Sequence, residues 1–251
     1  MAVPLREFFA GLGLLGRGLG MYARKPKLVL LGLIPALISG VLYLAAFATL
    51  IYFVSDLSEG VTWWADDWSG GLRDTVQVLA AIGILGIGGL IGILTFTAVT
   101  LAIGDPFYEK ISGEVEARYG AVPDEIDVPW WRSLRRSIWD SLRLIALSVL
   151  IGIPLFVGGF IPIVGQTVIP VVGAFVGGWF LALELVGVAF YRRGMRLPER
   201  RTILKANRPM ALGFGVGVFC CFLIPLGAVL VMPAAVVGGT LLARRVMDLP
   251  T

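Results

Sequence analysis

Three basic side chains lie close together where an amphipathic segment meets a long apolar one. Arg24, Lys25 and Lys27 flank Pro26, immediately before the apolar run that begins at Leu28. Lysine ammonium groups and the free N–H groups of a helix start can converge on an oxyanion. The cluster therefore predicts an anion-binding site. The alternative interpretation is that these side chains only anchor the chain at the membrane surface by extending toward the headgroups.

A single ionisable residue, Glu184, interrupts the apolar stretch 144–191. A carboxylate in hydrocarbon is costly, so it usually faces a partner or an aqueous cavity. We predict a pore or gating role for Glu184, paired with an arginine of the preceding basic segment such as Arg143. The alternative is a structural ion pair between helices. Glu109 and Glu116, in the charged middle of the chain, are further candidates for the permeation path.

The composition excludes most other classes of protein. Of 251 residues, 57% are hydrophobic and 15% are charged, whereas soluble domains have about 25% charged residues. This is the composition of an integral membrane protein. The net charge of +4 comes from 21 basic and 17 acidic residues, a mixture that does not indicate nucleic-acid binding. With no histidine, no phosphate-binding glycine loop and no nucleophile–base arrangement, we predict no enzyme, no metal and no cofactor.

Apolar runs and helical periodicity predict one all-α membrane domain over residues 1–251. Residues 4–24 place apolar and arginine side chains on opposite helix faces, which is typical of an interfacial helix. The runs 28–54 and 76–103 each exceed the roughly 20 residues needed to cross the hydrocarbon. Between the second run and the next apolar stretch, residues 104–143 predict a cytoplasmic helical region ending in a second basic interfacial helix.

Two later stretches, 144–191 and 209–243, share one design. Each contains an Ile-Pro pair, ending at Pro162 and Pro225, with a second proline eight residues later and a closing Gly-Gly. Proline interrupts helical hydrogen bonding, and a break in hydrocarbon must be buried in protein or line a wet cavity. We therefore predict two helical hairpins that enter the membrane only partway, an arrangement that transport proteins place around a permeation site.

The charges of the loops predict the topology. Loop 192–208 is strongly basic and loop 55–75 is mostly acidic, so the first should be cytoplasmic and the second should face out. Two full crossings then leave residue 104 inside, and both hairpins must begin and end there. The prediction is a multi-pass protein of the cell inner, or plasma, membrane.

The sequence resembles the CysZ-type sulfate permease family, which includes the eukaryotic etoposide-induced membrane proteins. The resemblance depends on the order and spacing of Pro106-Phe107, Glu114-Val115-Glu116, Ile161-Pro162-Ile163-Val164-Gly165, Leu181-Ala182-Leu183-Glu184, Gly213-Phe214-Gly215, Ile224-Pro225 and Met232-Pro233-Ala234. It implies two full transmembrane helices, two half-penetrating hairpins, a homo-oligomer and sulfate uptake. Glu184 matches a glutamate of the family pattern.

One departure from the family concerns the anion site. Members of the family place adjacent arginines just after the turn that begins the first crossing, whereas Val29 and Leu30 occupy those positions here. Lys25 and Lys27 lie nearby, but lysine lacks the guanidinium fork. Our functional hypothesis is transport of a small anion, most plausibly sulfate, through a homo-oligomeric pore. The alternative is a non-transporting scaffold whose basic loop, including Arg200 and Arg201, binds anionic membrane lipid or a partner protein.

Overall fold

The regular elements of the protein are helices. The computed structural model describes residues 2–120, 130–224 and 226–251, and within them all side chains except those of residues 2, 3, 130–138, 140 and 141. The elements are α1 (Ala2–Arg24), α2 (Pro26–Val61), a 3-10 turn (Trp63–Ala65), α3 (Gly70–Arg118), α4 (Trp130–Gly158), α5 (Val164–Tyr191), α6 (Leu197–Ala206), α7 (Arg208–Phe222) and α8 (Gly227–Val246). Within the described ranges no strand occurs, which confirms the all-α prediction.

Four of these helices contain segments long and apolar enough to cross a membrane. The segments are Pro26–Tyr52, Gly70–Arg118, Val164–Tyr191 and Gly227–Val246. Shorter apolar helices cover Leu142–Gly158 and Arg208–Phe222. The chain is therefore an all-α, multi-pass membrane protein, as its composition indicates.

The chain forms two compact units, of which the smaller comprises Leu33–Asp105. This unit is a pair of long helices joined through the 3-10 turn. The hydroxyl of Tyr43 on α2 donates a hydrogen bond to Oγ1 of Thr95 on α3 at 2.7 Å. Farther along, Leu50 of α2 covers Gly88 of α3 so closely that a β-carbon on the glycine would overlap it. A hydrogen bond and a small residue are the usual means by which membrane helices associate, since the hydrophobic effect does not act between them in lipid.

Both long helices extend beyond the predicted apolar runs. α2 continues to Val61 instead of ending at residue 54, and α3 begins at Gly70 and runs through Pro106 to Arg118. The apolar run predicts that the crossing ends at residue 103, and Asp105 before Pro106 is typical of a helix end. A proline inside a helix costs about 3 kcal/mol, which the many remaining hydrogen bonds of a 49-residue helix offset.

The larger unit, Met1–Gly32 with Pro106–Thr251, is built around α8. Helices α1, α5 and α7 pack against it, and its residues from Pro233 to Arg244 are all buried. Although α8 is apolar and long enough to span a membrane, protein rather than lipid covers most of its surface. The second hairpin therefore forms the core of this unit.

The predicted N-terminal helix is present and packs closely against the second hairpin. A β-carbon on Gly18 of α1 would lie 2.5 Å from the carbonyl oxygen of Ala234 on α8. On α7, a β-carbon at Gly213 would overlap the carbonyl oxygen of Phe8. The backbones are in contact at these glycines, so α1 is an integral part of the unit. Its interfacial position in a membrane stays a prediction.

The first hairpin breaks at the predicted proline. α4 ends at Gly158 and α5 begins at Val164, with Pro162 in the intervening turn. Ile163, which follows the proline, has a φ of 68°, a conformation that is unfavourable for a β-branched residue. A β-carbon on Gly165 would overlap the carbonyl oxygen of Gly159, so only glycine allows the chain to turn this tightly.

The second hairpin turns between Phe222 and Gly227, where α7 ends and α8 begins. Pro225, the predicted break, lies outside the described residues. Leu226, which follows it, has a φ of 61°, close to the value at Ile163. In both hairpins a residue of positive φ directly follows the proline position, but ψ differs between the two: −56° at Ile163 and 0° at Leu226.

Each hairpin combines a short arm with a longer one. From Leu144 to Gly158, the apolar part of α4 is about 22 Å long at 1.5 Å per residue, and the 15 residues of α7 have the same length. The hydrocarbon core is about 30 Å thick, so neither short arm crosses it when upright. The 28 residues of α5 are long enough to do so. How deeply the hairpins enter stays a prediction.

One helix replaces two predicted segments at the start of the first hairpin. The basic interfacial helix predicted before Arg143 and the first hairpin arm are both parts of α4, which runs without interruption from Trp130 to Gly158. The linker predicted at residues 120–129 lies outside the described residues except for Gly120, and so do the side chains of Arg132, Arg135 and Arg136.

Candidate functional site

The predicted anion-binding cluster lies at the junction of α1 and α2. α1 ends at Arg24 and α2 begins at Pro26, so Lys25 is the single linking residue. The carbonyl oxygen of Lys25 accepts hydrogen bonds from the N–H groups of Leu28 at 3.0 Å and Val29 at 3.1 Å. These two amides of the first turn are therefore already engaged, and any anion at this junction depends mainly on the side-chain cations.

One of the three cations has a carboxylate partner. Nζ of Lys27 lies 2.5 Å from Oε1 of Glu114 on α3, and the two side chains are 69% and 40% exposed. An ion pair this exposed contributes at most about 1 kcal/mol, so it can open readily. No ion pair among the described residues involves Arg24 or Lys25, and the junction retains a net positive charge.

Val29 and Leu30 occupy the positions at which members of the family have adjacent arginines, and the two residues lie in different surroundings. The carbonyl oxygen of Val29 accepts a hydrogen bond from the Tyr22 hydroxyl at 3.4 Å. Burial raises the pKa of Tyr22, which keeps the hydroxyl protonated as a donor. Leu30 is 59% exposed, so its side chain points away from the packed side of α2. Neither residue contributes a charge to the junction.

A buried ion-pair cluster lies at the charged end of α3. Glu116 is 1% exposed, and its Oε1 accepts a hydrogen bond from Nη1 of Arg193 at 2.7 Å. Its Oε2 accepts a second one from Nη1 of Arg244. Arg193 also donates to the carbonyl oxygen of Ala189 at 2.9 Å. The sequence nominated Glu116 for the pore, and that role stays a prediction; the contacts themselves join the ends of α3, α5 and α8.

Arg244 completes the cluster through backbone contacts. Its Nη2 donates to the carbonyl oxygen of Tyr119 at 2.7 Å, and its Nε donates to that of Pro250 at 2.8 Å. Its guanidinium also lies 5.6 Å from the Tyr119 ring. Sequence reasoning missed both arginines, since a basic residue at a helix end is normally assigned to the surface. Their burial depends on a contact with Glu116, which is 77 positions from Arg193 and 128 positions from Arg244.

Glu184 lies on the exposed side of α5. Its neighbours Leu183 and Leu185 are each 1% exposed, whereas Glu184 itself is exposed. A carboxylate on the outer side of a candidate membrane span requires a polar environment. Of the arginines predicted to pair with it, Arg132, Arg135 and Arg136 have side chains outside the described residues, and the guanidinium of Arg143 lies over the Trp139 ring at 5.7 Å. A pore role for Glu184 stays a prediction.

Glu109 also lies on the exposed side of its helix, α3. The adjacent Lys110 places Nζ 5.9 Å from the ring of Phe107. Glu109 and Glu116 therefore differ in environment, one exposed and one enclosed by arginines. The structure groups the predicted residues into separate places rather than one site: the α1–α2 junction, the buried cluster, and the exposed positions of Glu109, Glu184 and Arg143.

The basic segment 192–208 contains both exposed and buried arginines. Arg201 is exposed, whereas Arg200 is 1% exposed and its guanidinium lies 4.4 Å from the Tyr191 ring. A β-carbon on Gly187 would overlap Nη1 of Arg200, which shows how closely this arginine is packed. Helix packing encloses Arg200, so of the two arginines only Arg201 is exposed. That this basic segment binds lipid or a partner stays a prediction.

Long apolar helices and two helical hairpins define a multi-pass α-helical membrane protein. Residues 14–233 match the family described as sulfate transporter CysZ/etoposide-induced protein 2.4. The chain belongs to this family. The match includes the α1–α2 junction, both hairpin turns and Glu184, and it confirms the resemblance found from the sequence motifs.

Proposed function

We propose that the protein passes a small inorganic anion, most plausibly sulfate, across the cell inner membrane through a homo-oligomeric pore. Family membership supports a transport function. The observation specific to this chain is the cationic junction of α1 and α2, where Arg24, Lys25 and Lys27 lie within one turn of a helix start. Among the residues that the structure describes, Lys27 alone of the three has a carboxylate partner, in a solvent-exposed pair.

The weak pairing at the junction suits a transport site. A buried, fully paired lysine would not be available to an anion. Glu114 can leave Lys27 at a cost of about 1 kcal/mol or less. In this proposal the arriving anion replaces Glu114 as the partner of Lys27, with Lys25 and Arg24 adding attraction.

The two hairpins supply the route. Their short arms, α4 and α7, do not cross the hydrocarbon core when upright. The turns that follow these arms would therefore lie within the membrane if both hairpins enter from the cytoplasmic side. Glu184, on the exposed side of α5, would then face the pore, which is assembled from copies of the chain in this proposal.

Sulfate uptake into proteoliposomes tests the proposal. We expect the double variant Lys25→Ala, Lys27→Ala to reduce uptake about tenfold or more, because it removes two cations each contributing about 1 kcal/mol near the anion. The matched control is Arg17→Ala, Arg245→Ala, which removes two exposed cations elsewhere on the chain. Equal uptake by the wild type and the double lysine variant would show that Lys25 and Lys27 do not attract the transported anion. Absence of flux of any inorganic anion would favour the scaffold alternative.

A further inference from the structure

A large groove lies between α4, α5, α6 and the start of α7. Its volume is about 1130 Å³, and its walls are apolar side chains including Leu147 and Ile151 of α4 and Val172 and Phe175 of α5. Sites for drug-sized ligands have volumes of about 300–1,000 Å³. The groove is therefore much larger than an inorganic anion requires, and most of its lining is apolar.

The rim of the groove is basic. Arg143 of α4, Arg201 and Lys205 of α6, and Arg208 of α7 all border it, and all four are exposed. Arg201 and Lys205 are four residues apart, so they project from the same side of α6. Like charges at this spacing destabilise a helix, and an anion bound between them would remove that repulsion.

No protein carboxylate neutralises this rim among the described residues. Arg201, Lys205 and Arg208 take part in no ion pair there. The acidic residue of α6, Glu199, instead accepts a hydrogen bond from the backbone N–H of Arg196 at 2.7 Å, where it caps the helix. The positive charge at the groove thus has no counter-charge within the described structure.

The apolar length of the groove matches one leaflet of a bilayer. Along α4, Arg143 and Ile151 are about 12 Å apart, and along α5, Val171 and Leu183 are about 18 Å apart. Half of the hydrocarbon core is about 15 Å thick. A ligand that fills the groove therefore has an anionic group at the rim and an apolar chain of leaflet length.

We propose that this groove binds an anionic glycerophospholipid. The phosphate lies among Arg201, Lys205 and Arg208, and an acyl chain lies against α4 and α5 beside Leu147 and Phe175. Basic pockets between membrane helices are a known means of headgroup recognition. The proposal assigns Arg201 to lipid binding and leaves the buried Arg200 to packing. It uses none of the residues that form the cationic α1–α2 junction, although the groove lies in the first hairpin, which the transport proposal places along the route.

Native mass spectrometry of the full chain in detergent tests the proposal. The probes are palmitoyl-oleoyl phosphatidylglycerol and phosphatidylcholine with the same chains. We expect the anionic lipid to bind at least about tenfold more tightly, since each basic residue near an anionic lipid contributes about 1 kcal/mol. The triple variant Arg201→Gln, Lys205→Gln, Arg208→Gln should abolish this preference. A control with the same loss of charge, Arg17→Gln, Arg118→Gln, Arg245→Gln, should retain it.

A second pair of variants tests the acyl chain. Leu147→Trp fills the groove and should weaken phosphatidylglycerol binding about tenfold, whereas Val149→Trp, which is also exposed on α4 but lies outside the lining, should not.

Equal binding of phosphatidylglycerol and phosphatidylcholine by the wild type would overturn the proposal. So would an equal loss of lipid preference in the triple variant and in its charge-matched control. Displacement of the lipid by glycerol phosphate together with no effect of Leu147→Trp would show an anion site only. Loss of an oligomer in the triple variant, without lipid preference in the wild type, would assign the groove to a second copy of the chain.

Discussion

Oε1 of Glu116 on α3 lies 2.7 Å from Nη1 of Arg193, just beyond the end of α5, and both side chains are buried. Arg244 of α8 contacts the other carboxylate oxygen. Three segments that are distant in the sequence therefore share one carboxylate. Because two cations depend on it, the loss of Glu116 would leave uncompensated charge in the interior.

The first prediction concerns this cluster. Glu116→Gln should destabilise the protein by about 3–5 kcal/mol, because removing one partner of a buried ion pair leaves the others unsatisfied. Thermal unfolding of the detergent-solubilised protein would measure the loss. Glu114→Gln is the matched control: its ion pair with Lys27 is exposed, and it should cost about 1 kcal/mol or less. Equal stability of the two variants would contradict the structural role.

A second prediction follows from the contact between α1 and α7. Gly213→Ala should destabilise the larger unit, since the added β-carbon would overlap the carbonyl oxygen of Phe8 and force the helices apart. Gly13→Ala on α1 is the control, because no atom lies within 4 Å of its β-carbon position. Alanine is favoured over glycine in helices by up to about 1 kcal/mol. The melting temperature should therefore fall for Gly213→Ala and be unchanged or higher for Gly13→Ala.

The third prediction concerns the strained turn of the first hairpin. Ile163→Gly should leave stability unchanged or raise it by about 1 kcal/mol, because glycine adopts a φ of 68° without the steric cost that isoleucine incurs. Val168→Gly, in the following helix and also exposed, should instead lower stability by about 1 kcal/mol. The same decrease for both variants, measured by thermal unfolding, would refute the assigned backbone strain.

The fourth prediction tests the ion pair at the candidate anion site. Glu114→Gln should release Lys27 and tighten sulfate binding about twofold to fivefold, which corresponds to the energy of an exposed ion pair. Isothermal titration with sulfate would measure the change. Glu114→Gln combined with Lys27→Gln should bind less tightly than Glu114→Gln alone. If the carboxylate variant binds sulfate as wild type does, Lys27 does not contact the anion.

The fifth prediction concerns hairpin depth. After Cys220 and Cys221 are replaced by alanine, a single cysteine at Ile161 or Leu223 should resist an impermeant thiol reagent applied to the outer side of intact cells. A cysteine at Asp67, in the acidic loop between the first two crossings, should react. Reaction at residues 161 and 223 with the same speed as at residue 67 would show complete crossings in place of partial ones.

The sequence alone determined the class of protein, most of the helices and the break of the first hairpin. Composition and the length of apolar runs depend only on which residues are present, and proline acts on its immediate neighbours. The break at Pro162 was therefore predictable to within a few residues. The continuation of α3 through Pro106 was not, because the length and surroundings of the whole helix decide whether one lost hydrogen bond ends it.

Tertiary structure alone decided which charges meet. Lys27 and Glu114 are 87 residues apart, and Glu116 and Arg244 are 128 apart; no local pattern relates them. The sequence marked residues 192–208 as one basic loop, but packing buried Arg200 and left Arg201 at the rim of a groove. Which side of a helix is buried depends on the helices that pack against it. In this protein, small residues such as Gly213 let two helix backbones come into contact.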